Sequence, residues 1–66
     1  MKNNIKVERA KKGVTQAELA DAIKVSRQTI NAMEAGKYIP STLLALKIAK
    51  YFGTIVEEIF SMEEGE

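Results

Sequence analysis

Side chains three and four residues apart share one face of an α-helix, and residues 16–35, QAELADAIKVSRQTINAMEA, divide on that rule into two short helices. Leu19, Ala20 and Ile23 make the inner face of the first, and Ile30 and Met33 that of the second. Val25 lies beside a tight corner at Lys24. Boundary signals agree with this division. Thr15 followed three residues later by Glu18 is a capping box that predicts a helix over 16–23, and Ser26 caps the next helix, which Gly36 ends. Upstream, a helix is predicted over 4–12, with Ile5, Val7 and Arg9 on its useful faces and Gly13 as a left-handed cap. Downstream, Ser41 follows the single proline, Pro40, and caps a helix over 42–52 that offers Leu44, Ala45, Ile48, Ala49 and Phe52 to the core before Gly53 stops it. Thr54 and Glu57 repeat the capping-box spacing and predict a short fifth helix over 55–60.

The pair at 16–35 has the arithmetic of a helix-turn-helix. Two helices crossing steeply need a small residue where their backbones come closest, and Ala20, ten positions ahead of Ile30, supplies it. With Ile30 and Met33 inward, the helical period turns Gln28, Asn31 and Ala32 outward and leaves Arg27 in the first turn. These are side chains that can read base edges in a DNA groove.

Composition narrows the class. Sixty-six residues with 45% hydrophobic and 29% charged side chains make one globular domain, 1–66, with modest stability. No apolar run approaches the length of a membrane span, and the charged first twelve residues do not look like a secretion signal, so no membrane association is expected. Without cysteine there is neither a disulfide scaffold nor a thiolate metal site, which fits a cytoplasmic protein. Net charge is only +1, but its distribution is uneven. All ten Lys and Arg lie in residues 1–56 with four acids, whereas residues 57–66 hold five acids and no base. The basic part suits phosphate, and the acidic tail at 61–66 must point away from it.

DNA affinity comes mostly from phosphates and specificity from base edges, and the candidates divide accordingly. Arg27 suits the guanine acceptors, though it can equally hold a phosphate, and Gln28 suits adenine. Asn31 reads a base directly or through water, and Ala32 touches a thymine methyl; for both, a plain solvent-facing role competes. The phosphate candidates are Gln16, Ser26, Thr29, Lys37 and Tyr38. All but Lys37 have a bland alternative: a first-turn polar group for Gln16, capping for Ser26, a local hydroxyl contact for Thr29 and a ring lying on the core edge for Tyr38. The apolar residues Ile55, Val56, Ile59, Phe60 and Met62 exceed what one short helix needs for docking, so some are expected to face a second copy of the chain. A two-fold dimer reads two half-sites about 34 Å apart, where a lone domain reads too few base pairs. Leu43 falls on the exposed side of its helix, and the sequence offers no account of it.

The run TQAELADAIKVSRQTINAMEAGKYIPS, with LALKIAKYFG and EEIF behind it, resembles the Cro and phage-repressor type of helix-turn-helix regulator, the XRE family, and in particular its short stand-alone members such as cytolysin-operon repressors. The similarity spans roughly residues 4–60. It implies an all-α, compact five-helix domain that binds double-stranded operator DNA, an inverted repeat, as a homodimer and represses transcription. In some short members the chain ends form a small two-stranded sheet, here 1–3 with 60–63. By the same resemblance Gln16 clamps the DNA backbone, and Arg9 and Glu34 form an ion pair that is architectural rather than DNA-binding. Two positions depart from the family pattern. Lys24 stands where glycine is usual, and Glu8 where leucine is common, which thins the apolar face of the first helix.

An enzyme is not expected, since the chain has no His or Cys, no Gly-rich phosphate loop and no inward carboxylate pair. No cofactor or metal is expected, and a core this small leaves little room for a small-molecule effector. The competing reading is an antitoxin-like protein-interaction module on the same fold. Such antitoxins usually carry an added partner-binding segment, which is not expected here.

Overall fold

Thr15 begins the second helix as its spacing predicts: its hydroxyl accepts from the Glu18 N–H at 3.0 Å, and the Glu18 carboxylate accepts from the Thr15 N–H at 2.9 Å. Ser26 and Ser41 cap their helices through the N–H groups of Thr29 and Leu44. The computed structural model, which describes residues 1–66, gives the order β1 (Lys2–Asn3), α1 (Ile5–Lys12), α2 (Gln16–Ile23), α3 (Arg27–Glu34), α4 (Thr42–Phe52), α5 (Val56–Ile59) and β2 (Phe60–Ser61). The two strands pair antiparallel, Lys2 with Ser61 and Asn3 with Phe60, so the expected terminal sheet is present in a short form. No helix is long and apolar enough to cross a membrane.

Ile5, Leu19, Ile30, Met33, Ile48 and Ile59 are the largest fully buried side chains, so every helix sends at least one into a single core. Burying each contributes about 1.5–3 kcal/mol. Phe52, expected inside, is only half-buried and meets Tyr51 edge-on with ring centroids 5.1 Å apart. Val7 is 52% exposed and leaves Ile5 as the one buried residue of α1.

The start of α5 differs from its prediction. Thr54 donates its N–H to the Ala49 carbonyl and so completes the end of α4 behind the left-handed Gly53, which leaves Ile55 at the N-cap with no side-chain cap. With its N–H bonded to Ala49, Thr54 has no backbone donor left for the Glu57 carboxylate, so the reciprocal half of a capping box is missing.

Lys24 takes φ +64°, the only non-glycine residue with positive φ. A side chain in that conformation costs about 1–2 kcal/mol, partly offset by the extra freedom glycine has when unfolded. Lys24→Gly should therefore stabilise the domain by about 0.5–1 kcal/mol and raise the melting temperature by about 3–5 °C. A fall in melting temperature would show that the corner is unstrained.

Sequence reasoning missed Asn3. Its amide donates to the Met33 carbonyl in the last turn of α3 at 2.7 Å, and its Oδ1 accepts from the Ile5 N–H at 3.2 Å. One side chain thus satisfies an end of α1 and an end of α3 while its backbone pairs with Phe60. Nothing in local periodicity signals this link, because the partners are thirty residues apart.

Candidate nucleic-acid interface

Helix α3 carries its apolar residues, Ile30 and Met33, on one side, and this leaves Arg27, Gln28 and Asn31 exposed on the other. With Gln16 from the start of α2 they line a concave site of about 310 Å³ that has no hydrophobic wall. Four of the expected DNA-contacting residues are therefore brought together, from two helices. Ala20 is 4% exposed in the core. Ala32 is half-buried beside this face. Lys37 and Tyr38 are exposed in the segment after α3.

The ion pair behind the site is bidentate. Arg9 Nε lies 2.7 Å from Glu34 Oε2 and its second guanidinium nitrogen 3.1 Å from Oε1, while the third donates to the Val14 carbonyl at 3.1 Å. Both side chains are largely buried, at 16% and 9% exposure. Burial pushes the Glu34 carboxyl up, but the hydrogen bonds from Arg9 and Gln16 outweigh it and hold the group below its ordinary value of 4.5. The Glu34 hydrogen bond likewise raises the Arg9 guanidinium. The pair ties α1 to α3.

Gln16 is drawn into the same network. Its Nε2 donates to Glu34 Oε1 at 3.1 Å and to Asn31 Oδ1 at 3.3 Å. Both N–H bonds of the side-chain amide are thus committed. The remaining Oε1 is an acceptor and cannot bond a phosphate oxygen, so in this arrangement the donors of the Gln16 amide are engaged within the protein. The backbone N–H groups of Gln16 and Ala17, in the first turn of α2, are unpaired at the same place. The link was detectable only in part: Asn31 and Glu34 stand three apart on one helix face, but what crosses to meet them is a tertiary matter.

The hydroxyls of Ser26 and Thr29 bond each other at 2.9 Å, and Ser26 also caps α3. Their local roles are thus visible, with Ser26 exposed and Thr29 half-buried at the rim. Arg27 and Lys37 enter no ion pair, so their charge is available to a polyanion. In the acidic tail, Glu66 and Glu63 meet the Met1 ammonium at 3.1 and 3.8 Å.

The expected subunit-contact residues separate. Ile59 and Phe60 are 1% and 7% exposed in the core of their own chain, which corrects their assignment to an interface: a chain this small needs them to close its own interior. Val56 is half-buried against the same core, whereas Ile55 and Met62 are 58% and 75% exposed. Ile39, Leu43 and Leu46 are also exposed, at 64%, 64% and 54%. Ile39 and Leu46 border a shallow groove with Val56 and Phe60 at its other side. The sequence signal for this surface lay in the outward leucines of α4, of which only Leu43 stood out.

Comparison with known proteins agrees with this geometry. The Helix-turn-helix family model matches residues 5–59. An HTH-type transcriptional regulator of Methanocaldococcus jannaschii is 54% identical over 66 residues, the whole of both chains. YgzD, an HTH-type transcriptional regulator of Bacillus subtilis, is 48% identical over 64 residues, 97% of each chain. Among solved structures, the clp gene regulator ClgR of Corynebacterium glutamicum superimposes with a TM-score of 0.76 at 33% identity, covering 82% of this chain; the chain spans 57% of the length of that one.

Proposed function

This chain belongs to the XRE-type helix-turn-helix family of DNA-binding, non-enzymatic transcriptional regulators, and from that premise we propose that it recognises a specific double-stranded operator as a homodimer. Helix α3 enters the major groove, and the operator is an inverted repeat. The observation that carries this reading is the exposed polar flank of α3, where Arg27, Gln28 and Asn31 line a groove free of apolar side chains. A helix fits the major groove, and these side chains carry the donors and acceptors that distinguish its base pairs. Arg27 and Gln28 meet bases near the start of α3, and Asn31 and Ala32 meet them one turn later. Lys37, Tyr38 and the first-turn N–H groups of α2 hold phosphates on the two sides, with Ser26 and Thr29 at the rim.

A second copy packs on the apolar groove bordered by Ile39, Leu46 and Val56, and Leu43 and Ile55 are exposed as well. Such a cluster is unusual on a free monomer of this size, and a two-fold contact places two α3 helices one helical turn apart on DNA. The action proposed is repression in the cytoplasm, since a dimer seated across an operator excludes other proteins without needing any further contact. Mass measurement at micromolar concentration tests the dimer. Twice the chain mass of 7.3 kDa is expected, and Leu46→Glu should return it to the single-chain value. A species that stays monomeric even on DNA would remove the two-fold arrangement.

A further inference from the structure

We propose that the Arg9–Glu34 ion pair, acting through Gln16, fixes which edge of the Asn31 amide faces DNA, so that Asn31 selects guanine over adenine at the base pair it meets. This rests on the functional reading above and makes one of its contacts specific. An ionised carboxylate can only accept hydrogen bonds. Glu34, bonded by Arg9 at 2.7 and 3.1 Å, therefore obliges Gln16 to turn its NH2 group toward it, at 3.1 Å. The same nitrogen lies 3.3 Å from the Asn31 side chain. An amide NH2 has two N–H donors and accepts nothing, so what it meets on Asn31 must be the oxygen. Donor polarity thus passes from the carboxylate through Gln16 to Asn31. The Asn31 Nδ2 donates to no group of the protein, so its N–H donors are unspent at a residue that lines the site.

The consequence lies in the bases. An asparagine that reads adenine needs both halves of its amide, the oxygen accepting from N6 and the nitrogen donating to N7. Guanine presents two acceptors, O6 and N7, to the same groove. An amide with its oxygen turned inward and its nitrogen outward matches guanine and is poorly suited to adenine. A free asparagine turns over to suit either base; one held by Gln16 does not. Gln16 is accordingly a positioning residue for Asn31.

Binding is measured on a duplex recovered by selection from random sequences and on versions changed at single base pairs. Asn31→Ala identifies the pair that Asn31 reads, because preference is lost there alone. At that pair the wild-type protein should favour guanine over adenine by about tenfold. Gln16→Met, of similar length but unable to donate, should bring that ratio to one or reverse it while leaving preference at the Gln28 pair unchanged. A cooperative unfolding transition of Gln16→Met that stays well above the assay temperature would separate this from a folding defect. A wild-type preference for adenine, a guanine preference that survives in folded Gln16→Met, or an Asn31→Ala protein with unchanged preference at every pair would each overturn the proposal and leave the DNA-binding reading standing. A wild-type protein that selects no duplex would overturn both.

Discussion

Arg9→Met should cost about 3 kcal/mol of folding stability, the low end for breaking a buried ion pair, because Arg9 retains 16% exposure. The loss does not come from the pair's attraction alone. It comes mainly from leaving the Glu34 carboxylate buried with only Gln16 to bond it. A domain of 66 residues has about 3–10 kcal/mol in all, so the variant should lose about a third of its stability at the least. The pH dependence makes the cause identifiable. In the wild-type protein the Glu34 pKa is below its ordinary value of 4.5, so its contribution is complete above that value and is lost as pH falls through the lower folded pKa. Without Arg9, burial dominates and the folded pKa moves above the unfolded one. The variant should then gain stability as pH is lowered from 7 toward 5, where the wild-type protein gains nothing from this group. Urea unfolding at the two pH values measures this. A variant that is as stable as wild type, or that shows no gain on acidification, would mean that Glu34 is better solvated than its 9% exposure indicates.

Gln28→Ala and Lys37→Ala should weaken DNA binding in different ways. Removing a base-reading side chain costs about 1–3 kcal/mol per half-site, about 5- to 150-fold, and a symmetric dimer incurs it twice. That loss should appear on the preferred duplex and disappear on unrelated DNA. Lys37→Ala should weaken all duplexes by a similar factor and reduce the slope of log K against log salt by about one per half-site. Titrations at several salt concentrations separate the two. Matching losses on every duplex would show that Gln28 clamps the backbone as Lys37 does.

What the sequence made legible follows the range of each interaction. Caps act over three residues, and the starts of α2, α3 and α4 were readable from Thr15, Ser26 and Ser41. The left-handed corner at Lys24 was also readable, although the residue is a poor choice for it. The polar flank of α3 followed from periodicity alone, since Ile30 and Met33 can be inward only if Gln28 and Asn31 are outward. The first failure was local, where Thr54 had two helix ends to serve and satisfied the earlier one. The others were tertiary. Ile59 and Phe60 looked surplus because the sequence could not show how little else closes the core beside the terminal sheet. The bond from Gln16 to Glu34, eighteen residues away in the chain, was not legible because their distance is set only when α2 crosses α3.

The account depends most on α3 lying in the major groove of a two-fold site. Selection of bound duplexes from a random-sequence pool by the purified full chain tests this most directly. Enrichment of an inverted repeat whose half-sites lie about 34 Å apart, or a multiple of it, is the predicted result. A pool that stays random at low ionic strength, or one that enriches a single unrepeated motif, would contradict it.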